Sequence, residues 1–140
     1  MPNEFNGIEK RLNELNDRLA RLEPLKTKPR IEFDTDPYLR DVVERNLEIA
    51  AQCVIDICNR LIALENARKP GDYYEAIAIM GELGILPVDV AYRLALIAGF
   101  RNILIHEYIS IDWDLVYKHL QNINELTVFA DYIQQWLSRK

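Results

Sequence analysis

Residues 5–22, FNGIEKRLNELNDRLARL, place Phe5, Ile8, Leu12, Leu15, Leu19 and Leu22 at successive steps of 3, 4, 3, 4 and 3. On a strand these side chains would divide between both faces; on an α-helix they form one apolar stripe. The spacing therefore predicts a helix, and its stripe must lie against another helix. So few heptads do not favour a free coiled-coil arm. Pro24 is expected to end this first helix.

The rest of the chain repeats the helical pattern. Lys26 to Thr35, with Pro29 and mixed charges, reads as a linker. Asp36 followed by Pro37 suits a cap with proline at the first helical position. A second, longest helix should run from there to about Asn66, with Leu39, Val43, Leu47, Ala50, Val54, Ile57 and Leu61 among its apolar residues. Lys69-Pro70-Gly71-Asp72 breaks the pattern. A short helix is expected over Tyr73–Leu83, closed near Gly84. Pro87 and Asp89 open a fourth helix reaching about Tyr108, and Asp112 can cap a last one continuing through Leu137. No segment alternates with period two, and no glycine-rich phosphate loop occurs. The expected fold is all-α, an antiparallel bundle of four long helices plus one short helix, in a single domain over residues 1–140.

Composition narrows the class further. Hydrophobic residues at 49% against 28% charged make the chain too apolar to be disordered. No apolar stretch is long enough to cross a bilayer, and the N-terminal residues lack the hydrophobic core of a signal peptide, so a cytoplasmic protein without a membrane partner is expected. Cys53 and Cys58, five apart in a helical pattern, fit neither a redox pair nor a zinc knuckle and read as buried free thiols. A net charge of −5 excludes a molecule built to coat nucleic acid; any RNA contact must be local. The mild basic excess within residues 1–30, seven Lys or Arg against five Asp or Glu, is explained equally well by a solvated helix face.

Within the fourth helix the run Phe100-Arg101-Asn102-Ile103-Leu104-Ile105-His106-Glu107-Tyr108 sets polar side chains in a very apolar stretch. Such groups are seldom buried without partners. At about 100° per residue, Asn102 and His106 lie about 40° apart, whereas Arg101 and His106 diverge by about 140°. Ala91, Ala95, Ala98 and Gly99 share the sector of Asn102 and His106. That sector should face a partner helix or a partner protomer, and a twofold axis there would gather two copies of each group into one cleft. The residues alone leave open a satisfied core histidine at His106 and a surface ion pair at Arg101.

The pattern of Arg101, Asn102, three apolar residues, His106, one residue and Tyr108 resembles the HepT-like toxins of the HEPN superfamily. Asn46-Leu47-Glu48-Ile49-Ala50 leading to Cys53-Val54-Ile55-Asp56-Ile57, Pro70-Gly71-Asp72-Tyr73, Leu83-Gly84-Ile85-Leu86 and Ile111-Asp112 before Val116-Tyr117 extend the likeness over nearly the whole chain. It implies a homodimeric, metal-independent endoribonuclease toxin of a type VII toxin–antitoxin system, needing no cofactor. Arg101 and His106 of both protomers would form a composite catalytic site acting on RNA, whether tRNA or mRNA. Asn102 would orient the imidazole or the RNA. Tyr108 would be the target of adenylylation by a minimal nucleotidyltransferase antitoxin, the added AMP blocking the site by bulk and charge. Two other readings stay open: a non-catalytic HEPN module that binds a nucleotidyltransferase or a nucleotide, and a purely structural bundle.

Overall fold

In the computed structural model, the backbone is described for residues 5–106 and 110–140, and side chains are described for these residues outside 98–106. The order is α1 (Asn6–Lys26), α2 (Arg30–Thr35), α3 (Pro37–Leu64), α4 (Tyr73–Glu82), α5 (Val88–His106), α6 (Trp113–Gln121) and α7 (Asn124–Ser138). Among the described residues there is no strand, so the all-α expectation holds.

The stripe of α1 is buried from Ile8 to Leu22 and packs along α3. Arg18 Nη1 donates to Asn46 Oδ1 at 3.1 Å and Arg11 faces Asp56 at 3.6 Å, so α1 and α3 run antiparallel. Asn46 is buried, and its amide is satisfied on both sides: it accepts from Arg18 and donates to Val42 O at 2.8 Å. That is the condition for a polar group in a core. Both cysteines are buried free thiols on α3, as expected. Burial pushes the Cys53 thiol up to about 11 and raises Cys58 further.

Three boundaries differ from the sequence reading. Helix α1 continues past Pro24 to Lys26. Proline removes a single donor there, and the exposed carbonyls find partners elsewhere: Thr27 Oγ1 donates to Pro24 O at 3.2 Å and Gln121 Nε2 to Lys26 O at 3.0 Å. The expected linker contains α2, pinned by the buried Phe33, whose ring meets Trp113 and Tyr117. The expected last helix is two, α6 and α7. Asn122 Nδ2 donates to Lys118 O at 3.0 Å, a side-chain bond that competes with continued helix. The apolar spacing runs on through the break, because Ile123 is buried beside Leu120 and Leu126. Hence periodicity gave no sign of it.

Elsewhere the capping chemistry works as read. Asp36 accepts from Tyr38 N and Leu39 N, and Asp112 from Leu115 N; Asp72, read only as part of a break, also caps a helix, accepting from Glu75 N. Helix α3 stops at Leu64, just short of the expected Asn66, which takes φ 55° while Ala67 N donates back to Ile62 O. Gly84, at φ 73°, closes α4, in a conformation that disfavours any side chain.

Candidate functional site

Helix α5 carries the stretch singled out in the sequence. Its small-residue sector meets α4: a Cβ placed on Gly81 would stand 3.3 Å from Ala91 Cβ and 3.6 Å from the Val88 backbone. Gly81 and Ala91 thus let the two backbones approach, and Ala91 is buried between them. The partner expected for this sector is, at this level, a helix of the same chain.

Beside that contact, α5 is not covered. Val88, Tyr92 and Leu96 are 75%, 76% and 57% exposed, and with Tyr74, Ala78 and Ala95 they line an apolar groove along α4 and α5. Spaced by four, they form one stripe on the helix surface. Val88 and His106 are 18 residues apart, about five full turns, so the backbone register sets His106 on the side of this stripe with Asn102 beside it. Arg101 stands within about 40° of Leu94 and Ile97, both buried against the core. Register therefore pairs Asn102 with His106 and separates Arg101 from them. The side chains of Arg101, Asn102 and His106, and the whole of Tyr108, lie outside the described residues.

Sequence reading passed over a second concavity. A cavity of about 270 Å³ opens between α3, α5, α6 and α7, with Leu47, Ala51 and Ile97 in its wall and Arg93, Lys118 and His119 among its polar groups. Burial, then the neighbouring Lys118, hold the His119 imidazole down to about 4. It is neutral near pH 7 and a weak base there, unsuited to taking a proton from a hydroxyl. Arg93 bridges Asp89 at 3.1 Å and Glu125 at 3.0 Å, tying α5 to α7. Being the second of only two histidines was the one signal that could have drawn attention to His119.

The family described as Ribonuclease HepT-like matches residues 12–135, nearly the whole chain and all of α5. The chain belongs to this family. Among HepT relatives, the tRNA nuclease HepT of Aphanizomenon flos-aquae is 33% identical over 76 residues, 54% of this chain and 52% of that protein. The match thus spans about half the relative's length. The mRNA nuclease HepT of Shewanella oneidensis is 24% identical over 104 residues, covering 74% of this chain and 78% of that one. A tri-AMPylated Shewanella oneidensis HEPN toxin, solved in complex with an MNT antitoxin, superposes with a TM-score of 0.82 over 96% of this chain and 99% of that one, at 20% identity. At that identity the likeness concerns the fold. Among the described residues, no helix is long and apolar enough to cross a membrane.

Proposed function

We propose that this HepT-like chain is a metal-independent endoribonuclease toxin, that it works in the cytoplasm as a homodimer, and that adenylylation by a minimal nucleotidyltransferase antitoxin silences it. The observation that carries the reading is the family match across residues 12–135, which includes the entire Arg101–His106 stretch. The relatives' names, a tRNA nuclease and an mRNA nuclease, and the antitoxin-bound neighbour point the same way. The substrate is RNA, with tRNA and mRNA as the two candidates.

The chemistry assigned to the residues is direct. His106, the side chain type whose ordinary pKa lies near neutrality, removes the proton of a ribose 2′-hydroxyl. The 2′-oxygen attacks the adjacent phosphorus, the bond to the 5′-oxygen breaks, and that oxygen leaves with a proton supplied by the second protomer's imidazole. A 2′,3′-cyclic phosphate and a 5′-hydroxyl result. Arg101 offers paired N–H donors to the phosphate oxygens as charge builds on them. Asn102, one turn before His106, orients the imidazole or the RNA. A second copy seated on the stripe of Val88, Tyr92 and Leu96 buries exposed apolar surface and draws the two histidine-bearing faces together. Tyr108 is the acceptor of AMP, an anionic group beside the site that repels RNA.

The test is cleavage of cellular RNA by purified protein free of AMP, in the presence of EDTA. His106→Ala and Arg101→Ala are each expected to lower the rate by about 10²-fold or more. Co-expression with a cognate minimal nucleotidyltransferase should add the mass of AMP at Tyr108 and stop cleavage. Unmodified wild type that leaves RNA intact would refute the proposal.

A further inference from the structure

Arg40 differs from the arginines around it. Arg30 is held by Asp34 and Asp114, Arg45 by Glu48, and Arg93 by Asp89 and Glu125. Among the described residues no ion pair reaches Arg40, although Glu44 lies four residues on, where a helical arginine commonly finds a carboxylate. Burial, then Glu48 and Asp41, push the Glu44 carboxyl up, opposed by Arg45. The guanidinium of Arg40 instead lies over the Trp113 ring, 5.2 Å from its centroid, and its Nε is buried without a hydrogen-bond partner.

Stacking on Trp113 accounts for the orientation of the plane. It leaves the buried Nε–H without a partner, and an unsatisfied buried donor on a charged group is costly enough to require an explanation. Position supplies one. On α3, Arg40 points within about 20° of Leu47 and Ala51, the two residues through which α3 lines the cavity it shares with α5. Trp113 opens α6 seven residues after α5 ends at His106. Arg40 is therefore held at the end of the bundle where α5 gives way to α6, the end that carries the catalytic stretch. In a chain of net charge −5, a guanidinium with no ion pair among the described residues is a local point of attraction for an anion there.

We infer that Arg40 is a further RNA-binding residue: its half-buried guanidinium takes a phosphodiester oxygen of the substrate strand beside the Arg101/His106 site, while Trp113 fixes the plane of the guanidinium. This rests on the ribonuclease reading above and adds a backbone contact to it. Such a contact adds affinity without reading sequence, and it binds more weakly as salt rises.

The experiment measures binding of a cleavage-resistant 2′-O-methyl single-stranded RNA across a salt series, for wild type, Arg40→Gln and Arg40→Lys, with circular dichroism confirming the fold. Arg40→Gln should weaken binding by about tenfold and lower the slope of log affinity against log salt by about 0.7, the value for one phosphate contact on a single strand. Arg40→Lys should keep the slope and lose part of the affinity, since lysine lacks the guanidinium fork. If Arg40→Gln does not fold, the wild-type Arg40 Nε–H resonance, identified by its loss in Arg40→Lys, decides: a shift on adding RNA is expected, and no shift overturns the inference. Wild-type affinity and slope in a folded Arg40→Gln protein would remove Arg40 from the site while leaving the nuclease intact. Wild type that neither binds nor cuts RNA would remove both.

Discussion

Tyr92→Glu provides the sharpest test of how the α4–α5 groove is used. Tyr92 is 76% exposed on α5 between Val88 and Leu96, so in one isolated chain the change should cost no more than about 0.5 kcal/mol. At a twofold seam the same change counts twice. An aromatic side chain contributes about 150–250 Å² when buried, so three-quarters of a tyrosine leaves roughly 150 Å² for a partner to cover. At about 25 cal/mol per Å² this is an upper limit of roughly 4 kcal/mol per copy. Ordering costs leave a fraction of it; about 1–2 kcal/mol per copy is a reasonable remainder. Two copies then contribute about 2–4 kcal/mol, which is a 30- to 1,000-fold rise in the dimer dissociation constant. Adding two carboxylates to a closed apolar seam moves the result in the same direction. Sedimentation equilibrium of wild type and variant, with thermal melts of each, reads both quantities. The expected outcome is a wild-type dimer and a variant monomer with nearly unchanged helicity. A variant that dimerises as wild type does, or a wild type that is monomeric at tens of micromolar, would refute the reasoning that this stripe is the seam.

Three further outcomes follow from the packing. His119 is held down to about 4 in the folded chain, below its ordinary value of 6.5, so acid favours the unfolded form, which binds the extra proton. Its contribution is complete above about pH 6.5 and is lost as pH falls toward 4; partial exposure keeps it below the roughly 3 kcal/mol that the full difference implies, and His119→Gln should flatten this part of a pH–stability curve. Asp36→Ala removes the acceptor for Tyr38 N and Leu39 N and should destabilise the chain by about 1 kcal/mol in urea melts. Phe33→Ala empties the fully buried ring site between Trp113 and Tyr117 and should cost about 3–5 kcal/mol, enough to melt α2 away from the bundle.

Much of the fold was legible because its signals are local. The stripe of α1, the caps at Asp36 and Asp112, and the left-handed glycine at Gly84 each depend on residues within a turn or two. Helix α2 was hidden because its stability comes from Phe33 docking on α6, 80 residues away in sequence. The α6–α7 break was hidden because Ile123 keeps the apolar period while the backbone turns. For the site, the sequence marked the stretch and its divergence on the helix, with Asn102 and His106 together and Arg101 apart. It predicted a partner for the sector of Ala91 and Ala95, and it had no means of telling which apolar residues of α5 would remain bare.

By itself, then, the sequence determined the helical class, most helix limits and the polar residues of α5, since spacing, caps and breakers act over a few residues. Tertiary structure decided that Gly81 and Ala91 bring α4 onto α5 and leave Val88, Tyr92 and Leu96 facing outward. It also decided that His119 stays uncharged and that Arg40 rests on Trp113, with no ion pair among the described residues. Exposure, desolvation and the pairing of charges depend on which helices meet. That is a property of the packed bundle, set by contacts between residues far apart in the chain.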